Sequence, residues 1–159
     1  MGFQTQVNAQ PAPACAGDFA SANPRAAVVS PEGGFVAGAA GVTVGRFAWI
    51  QADGVTVLNT GTGKPDGFVH REQQAFITAY LAEASNVVPV GQPVTIMRTG
   101  DYYAAVTVAS AEKGEKAFAK LADGTMQPAA AGATVSGFIE TDFTISRPAG
   151  VGELAVMSL

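Results

Sequence analysis

The sequence predicts an all-β protein. Three observations carry that expectation. Apolar residues recur at every second position in short runs, the period of a half-buried strand. Nineteen glycines and nine prolines are spread along the chain, which suits many short strands joined by tight turns. Asp-Gly dipeptides, which favour tight turns, stand at Asp53-Gly54, Asp66-Gly67 and Asp123-Gly124.

Taken in order, residues 1–25 differ from the rest. Pro11, Pro13 and Pro24 sit among Ala, Asn, Gln and Ser. Proline fixes φ and removes a backbone donor, so the stretch reads as an extended N-terminal arm. Residues 26–159 read as one β-rich domain. Val42 and Val44 alternate with Thr43 and Gly45; the parity then flips, and Phe47 and Trp49 become the apolar pair. A period-2 pattern that slips at a glycine marks a bulge or sharp bend. Short alternations follow at Val55/Val57, Val94/Ile96, Val106/Val108, Phe143/Ile145 and Leu154/Val156. Asp123-Gly124, between Lys116–Leu121 and Thr125–Gln127, predicts a hairpin. His70–Glu83 is ambiguous. Phe76, Ile77, Tyr80 and Leu81 have helical spacing, while Phe76, Thr78 and Tyr80 alternate as a strand; the β-rich surroundings favour strand.

Composition bounds the function. The chain has 159 residues, enough for one domain with a core that needs no staples. Charged residues are only 14% of it, against roughly 25% in ordinary soluble domains, so part of the surface is expected to be covered by a partner. Nine Lys and Arg against thirteen Asp and Glu give a net charge of −4. With no basic cluster, neither nucleic acid nor an anionic membrane is an expected partner. Cys15 is the single cysteine, so no internal disulfide is possible. The first residues lack the basic and apolar regions of a signal peptide. Gln6 replaces the Ser or Thr of the myristoylation pattern. No apolar run is long enough for a membrane-spanning helix.

The search for chemistry returns little. Thr60-Gly61-Thr62-Gly63-Lys64-Pro65 looks like a phosphate loop, but Leu58 stands where that loop needs Gly and Pro65 where it needs Ser or Thr. It reads as a surface turn. A Cys15–His70 nucleophile pair lacks anything near Cys15 in sequence to activate the thiol. One Cys and one His do not make a zinc site. Glu140 and Asp142 share a strand face, which reads as a solvated face rather than an acid–base pair. Tyr102-Tyr103 offers either an exposed sugar platform or two strand residues, one facing in and one out, and the second is preferred. Trp49 reads as core. No catalytic, metal or cofactor-binding residues are predicted, and an enzyme is not expected.

The chain resembles the small structural cement, or head decoration, proteins of tailed bacteriophages. The resemblance is carried by MGFQTQVNAQPAPACAGDFASANPR (1–25) leading into AGAAGVTVGRFAWI (37–50). It continues through GFVHREQQAFITAYLAEAS (67–85) and VPVGQPVTI (88–96). It closes with GEKAFAKLADGTMQPAAAGATVSGFIETDFTI (114–145) and GELAVMSL (152–159). Cys15 departs from the small apolar residue the pattern would place there. The resemblance implies a small β-barrel, β-tulip or jelly-roll-like domain. It implies a protein made in the bacterial host cytoplasm that binds the outer surface of an expanded capsid and clamps neighbouring major capsid protein subunits. Its expected partners are that major capsid protein and itself, as a homotrimer with a homodimer as the alternative. The arm would make the contacts. Phe3 and Phe19 are expected as apolar anchors, Arg25 as a polar clamp, and Gln4, Val7, Pro11 and Pro13 as further contacts. A carbohydrate- or host-surface-binding module using Tyr102 and Tyr103 is the alternative.

Overall fold

The computed structural model describes residues 14–72, 80 and 85–159. Among these there are strands and no helix, as the periodicity predicts. The strands are β1 (Ala26–Ala27), β2 (Phe35–Ala37), β3 (Val42–Thr43), β4 (Phe47–Ile50), β5 (Thr56–Leu58), β6 (Gly67–Val69) and β7 (Val87–Val88). They continue with β8 (Pro93–Val94), β9 (Ile96–Thr99), β10 (Asp101–Ala105), β11 (Lys116–Lys120), β12 (Met126–Ala129), β13 (Phe138–Arg147) and β14 (Leu154–Ser158). They form a seven-stranded sheet in the order β1-β9-β6-β4-β5-β2-β8, a five-stranded sheet β10-β14-β13-β11-β12, and the pair β3-β7. All pairings are antiparallel except β2 with β5.

The seven-stranded sheet curls on itself. β8, its last strand, and β9, its second, are separated in sequence only by Thr95. A sheet whose last and second strands are joined by one residue must bend round to bring them together. A β-barrel was among the expected architectures; the described strands stop short of it, because β8 and β9 are joined by the chain and not by a ladder of hydrogen bonds. Inside the curl lies a valine-rich core containing Phe35, Val42, Val44, Val57, Val69, Val88, Val94 and Ile96.

The other face of the same strands packs on the five-stranded sheet. Phe47, Trp49, Phe68 and Met97 from β4, β6 and β9 meet Tyr102, Phe143, Ile145 and Met157, with Ala104, Ala117, Ala119 and Ala155 between them. Both sheets contribute large side chains, and the alanines of the five-stranded sheet leave room for those of the other to interdigitate. Each fully buried aromatic ring contributes roughly 1.5–3 kcal/mol by area. β4, β6 and β9 are therefore buried on both faces: Phe68 enters one core and Val69 the other.

The parity flip has a clear origin. Val42 and Val44 point into the valine core and Phe47 and Trp49 into the aromatic one. Between them Gly45 has φ of +74°, a region L side chains avoid. The bend there lets one chain serve both cores.

The Asp53-Gly54 turn joins β4 to β5, with Asp53 accepting from the Val55 and Thr56 amides. The Asp123-Gly124 hairpin joins β11 to β12, with Asp123 accepting from the Thr125 amide. Asp66-Gly67 differs from the expected turn. Gly67 begins β6 and pairs with Ala48; a Cβ there would lie 2.4 Å from the Met97 carbonyl oxygen. The glycine is needed for close approach of two strands rather than for a reversal. In β14 the alternation has the opposite face to the one expected: Ala155 and Met157 are buried, while Leu154 and Val156 are half-buried on the outside. Val108 also differs, lying beyond β10 with 61% of its surface exposed. Of His70–Glu83, residues 73–79 and 81–83 lie outside the described residues, and His70–Glu72 are not in a strand.

Candidate interaction surface

The stretch from Ala14 to Val28 follows one edge of the molecule. The Gly17 amide donates to the Tyr103 carbonyl (2.8 Å), the Tyr103 amide to the Asp18 carbonyl (3.0 Å) and the Ala20 amide to the Asp101 carbonyl (2.9 Å). Phe19 bridges Tyr102 in antiparallel sense. Further on, Ala26 and Ala27 pair with Thr99 and Met97, and the Val28 amide donates to the Ile96 carbonyl (2.8 Å). The segment is thus a single lane running antiparallel to 96–103, added first to the five-stranded sheet and then to the seven-stranded one.

Side chains fasten this lane. Asp18 pairs with Arg71 Nε at 2.7 Å. The Arg71 amide donates to the Gly17 carbonyl, and His70 Nδ1 lies 2.8 Å from the same oxygen. Phe19 stacks on His70 at 3.7 Å between centroids, with the Arg25 guanidinium 3.6 Å from its ring centre. Burial pushes the Asp18 carboxyl up, but the hydrogen bonds from Arg71 and the Cys15 amide, with the Arg71 charge, outweigh it and hold the group below its ordinary value. Asp101 is also held low, first by the hydroxyl of Ser21 and then, against its partial burial, by Ser158 and Asn23.

Of the residues expected to make contacts, Phe19 and Arg25 are brought together, and both are engaged within the chain. Phe3, Gln4, Val7, Pro11 and Pro13 lie outside the described residues. The lane's fastening partners, Asp18, His70, Arg71 and Asp101, were missed by sequence reasoning. Their only signal was the local HisArg pair, whose acidic partner lies 53 residues away.

The other candidates are structural. Tyr102 is fully buried and donates to the Thr99 carbonyl at 2.8 Å; burial pushes its hydroxyl up to about 12. Tyr103 is half-buried, with the Arg147 guanidinium 5.2 Å from its ring centre. The pair faces one in and one out, so it forms no platform. The Gly-rich turn packs on Trp49, whose indole donates to the Gly63 carbonyl at 2.9 Å; a Cβ at Gly61 would strike that ring. Lys64 ties the turn to Asp142 on β13, across a cleft of about 280 Å³ lined by Phe47, Arg98 and Phe143. Glu140 accepts from the Gly132 amide. Among the described residues no group of three His, Cys, Asp or Glu side chains is placed to hold a metal ion.

A family model described as XM1 gp53 minor capsid protein matches residues 3–159. The chain belongs to the XM1 gp53 minor capsid protein family. Membership gives it a structural role in a phage capsid and a place in the virion. A chain from a solved structure titled "The capsid of Myoviridae Phage XM1" shares its fold, with a TM-score of 0.70 and 17% identity over 99% of this chain and 97% of that one. A search of curated proteins finds no match. The family's presence in a capsid agrees with a chain that is only 14% charged and whose N-terminal lane is locked to its own body.

Proposed function

We propose that the chain is a decoration, or cement, protein that binds the outer surface of the expanded capsid and clamps neighbouring major capsid protein subunits around packaged DNA. It is made in the host cytoplasm and acts without catalysis, as a homotrimer, with a homodimer as the alternative. Residues 1–13 are the reaching part of the arm, carrying Phe3, Gln4, Val7, Pro11 and Pro13. The observation that carries this reading is the fixed root at Gly17–Ala20. A tether transmits load only if its base is held, and here backbone pairing, an ion pair and a stacked ring hold it. Many weakly bound copies on one shell would be retained by avidity.

The test is co-sedimentation of the purified protein with expanded capsids that lack it, beside unexpanded precursor shells. Saturable binding to the expanded shell alone, with raised heat resistance, is expected, and the stoichiometry gives the oligomer. Equal or absent binding to both shells would remove the proposal.

A further inference from the structure

Most of the chain's few cations are engaged within it. Of the nine Lys and Arg, Arg71, Lys64 and Lys120 pair with Asp18, Asp142 and Asp123. Arg25 lies on the Phe19 ring and Arg147 on that of Tyr103. Arg46 and Lys116 donate to the Asp123 and Asp142 carbonyls. Among the described residues, that leaves two without a partner. Lys113 stands on an exposed turn, whereas Arg98 lines the cleft beside Phe47 and Phe143.

The backbone puts Arg98 there. Ala26 pairs with Thr99 and Ala27 with Met97, so Arg98 has no opposite number on β1 and forms a bulge. A bulge breaks the alternation of a strand and re-aims a side chain. On the other flank Phe68 pairs with Met97, and the next residue toward Arg98 is Gly67, which has no side chain to fill the space. The recess is the cleft of about 280 Å³, with Val28, Phe47 and Phe143 as its apolar wall.

The carboxylates nearby are committed elsewhere. Asp66 accepts from the Ile50 amide at 2.7 Å, Asp142 is paired with Lys64, and Glu140 accepts from the Gly132 amide. Arg98 therefore presents a fork of donors whose complement is a planar carboxylate, beside an apolar wall that would shield the pair from water. The volume falls below the roughly 300–1,000 Å³ of small-molecule sites and suits a side chain. The segments outside the described residues join the body elsewhere: Ala14 is at the far end of the lane from Val28, and Glu72 lies beyond the far end of β6 from Gly67.

We propose that this cleft receives an aspartate or glutamate side chain from the capsid shell, with Arg98 as the residue that binds it. The proposal rests on the cement reading above and names a contact for it in the folded body. An acidic partner surface would otherwise be repelled by a chain of net charge −4, so a lone guanidinium in a shaped recess also fixes where that partner docks.

The test is co-sedimentation of the full-length protein with expanded shells that lack it. Arg98→Gln removes the charge from an exposed side chain, so the urea midpoint should hold while shell affinity falls about tenfold. Arg98→Lys keeps the charge but loses the fork and should recover part of the loss. Lys113→Gln makes the same change in net charge on the exposed turn and should bind as the natural protein does. Unchanged binding by Arg98→Gln, equal losses in the Gln and Lys variants, or an equal loss in Lys113→Gln would overturn the proposal and leave the cement role standing. A change in the free protein's light scattering on Arg98→Gln would assign the cleft to a second copy of the chain and overturn it too. A natural protein that binds no shell would remove both readings.

Discussion

The body and the N-terminal lane are held by different forces. The body rests on burial: the central strands β4, β6 and β9 have a core on each face. The lane, from Gly17 to Arg25, rests on backbone hydrogen bonds to one neighbouring strand, on the carboxylates Asp18 and Asp101, and on one half-buried ring. Apolar burial involves no titrating group and fails cooperatively. Hydrogen-bonded carboxylates fail locally, and with acid. The lane can therefore open locally without unfolding the core.

The largest expected effect tests the body. Phe68→Ala removes a ring that contacts Phe47 and Tyr102 in the aromatic core. It should cost about 3–5 kcal/mol, read as a lowered urea midpoint. An unchanged urea midpoint would mean that the body does not rest on burial in this core.

A smaller, local effect is expected from Asp18→Asn. It removes the charge that pairs with Arg71 while leaving a group able to accept a hydrogen bond. A loss of about 1 kcal/mol is expected, since the pair is only partly shielded from water. Amide exchange at Gly17 and Ala20 should quicken roughly fivefold, while exchange in β4 and β6 stays unchanged. Equal acceleration everywhere would erase the distinction between lane and body.

The smallest effect is that of pH. Both Asp18 and Asp101 are held below the ordinary carboxylate value of 3.8. A carboxyl whose folded value is depressed stabilises the fold fully above its unfolded value and loses that contribution as pH falls through the folded one. The lane should therefore loosen below about pH 4, before the body does. Exchange at Gly17 and Ala20, corrected for its intrinsic pH dependence, should show less protection at pH 3 than at pH 6. Protection that rises on acidification would contradict the assigned sign.

Much of the fold was legible in the sequence because its causes are local. The turns at Asp53 and Asp123 follow from a carboxylate accepting from amides two or three residues on. The parity flip at Gly45 marked a real bend. Alternation failed where the buried side chain was small: Ala155 faces the core and Leu154 does not, so reading β14 by hydrophobicity chose the wrong face. Gly67 was taken for a turn because the dipeptide is the same whether the glycine supplies a reversal or a close approach. The candidate surface was half legible. Phe19 and Arg25 were singled out separately as an anchor and a clamp toward the capsid; the structure places them against each other within the chain.

What the sequence determined by itself is the all-β class, the burial of Trp49, the opposed faces of Tyr102 and Tyr103, and the positions of the two hairpin turns. These depend on side-chain period and on hydrogen bonds spanning two or three residues. Only the tertiary structure decided that β4, β6 and β9 separate two cores, that β2 and β5 run parallel, and that residues 17–28 lie against 96–103. Those pairings join segments far apart in the chain through backbone groups that every residue but proline shares, and such groups carry no record in the sequence of which strand they will meet.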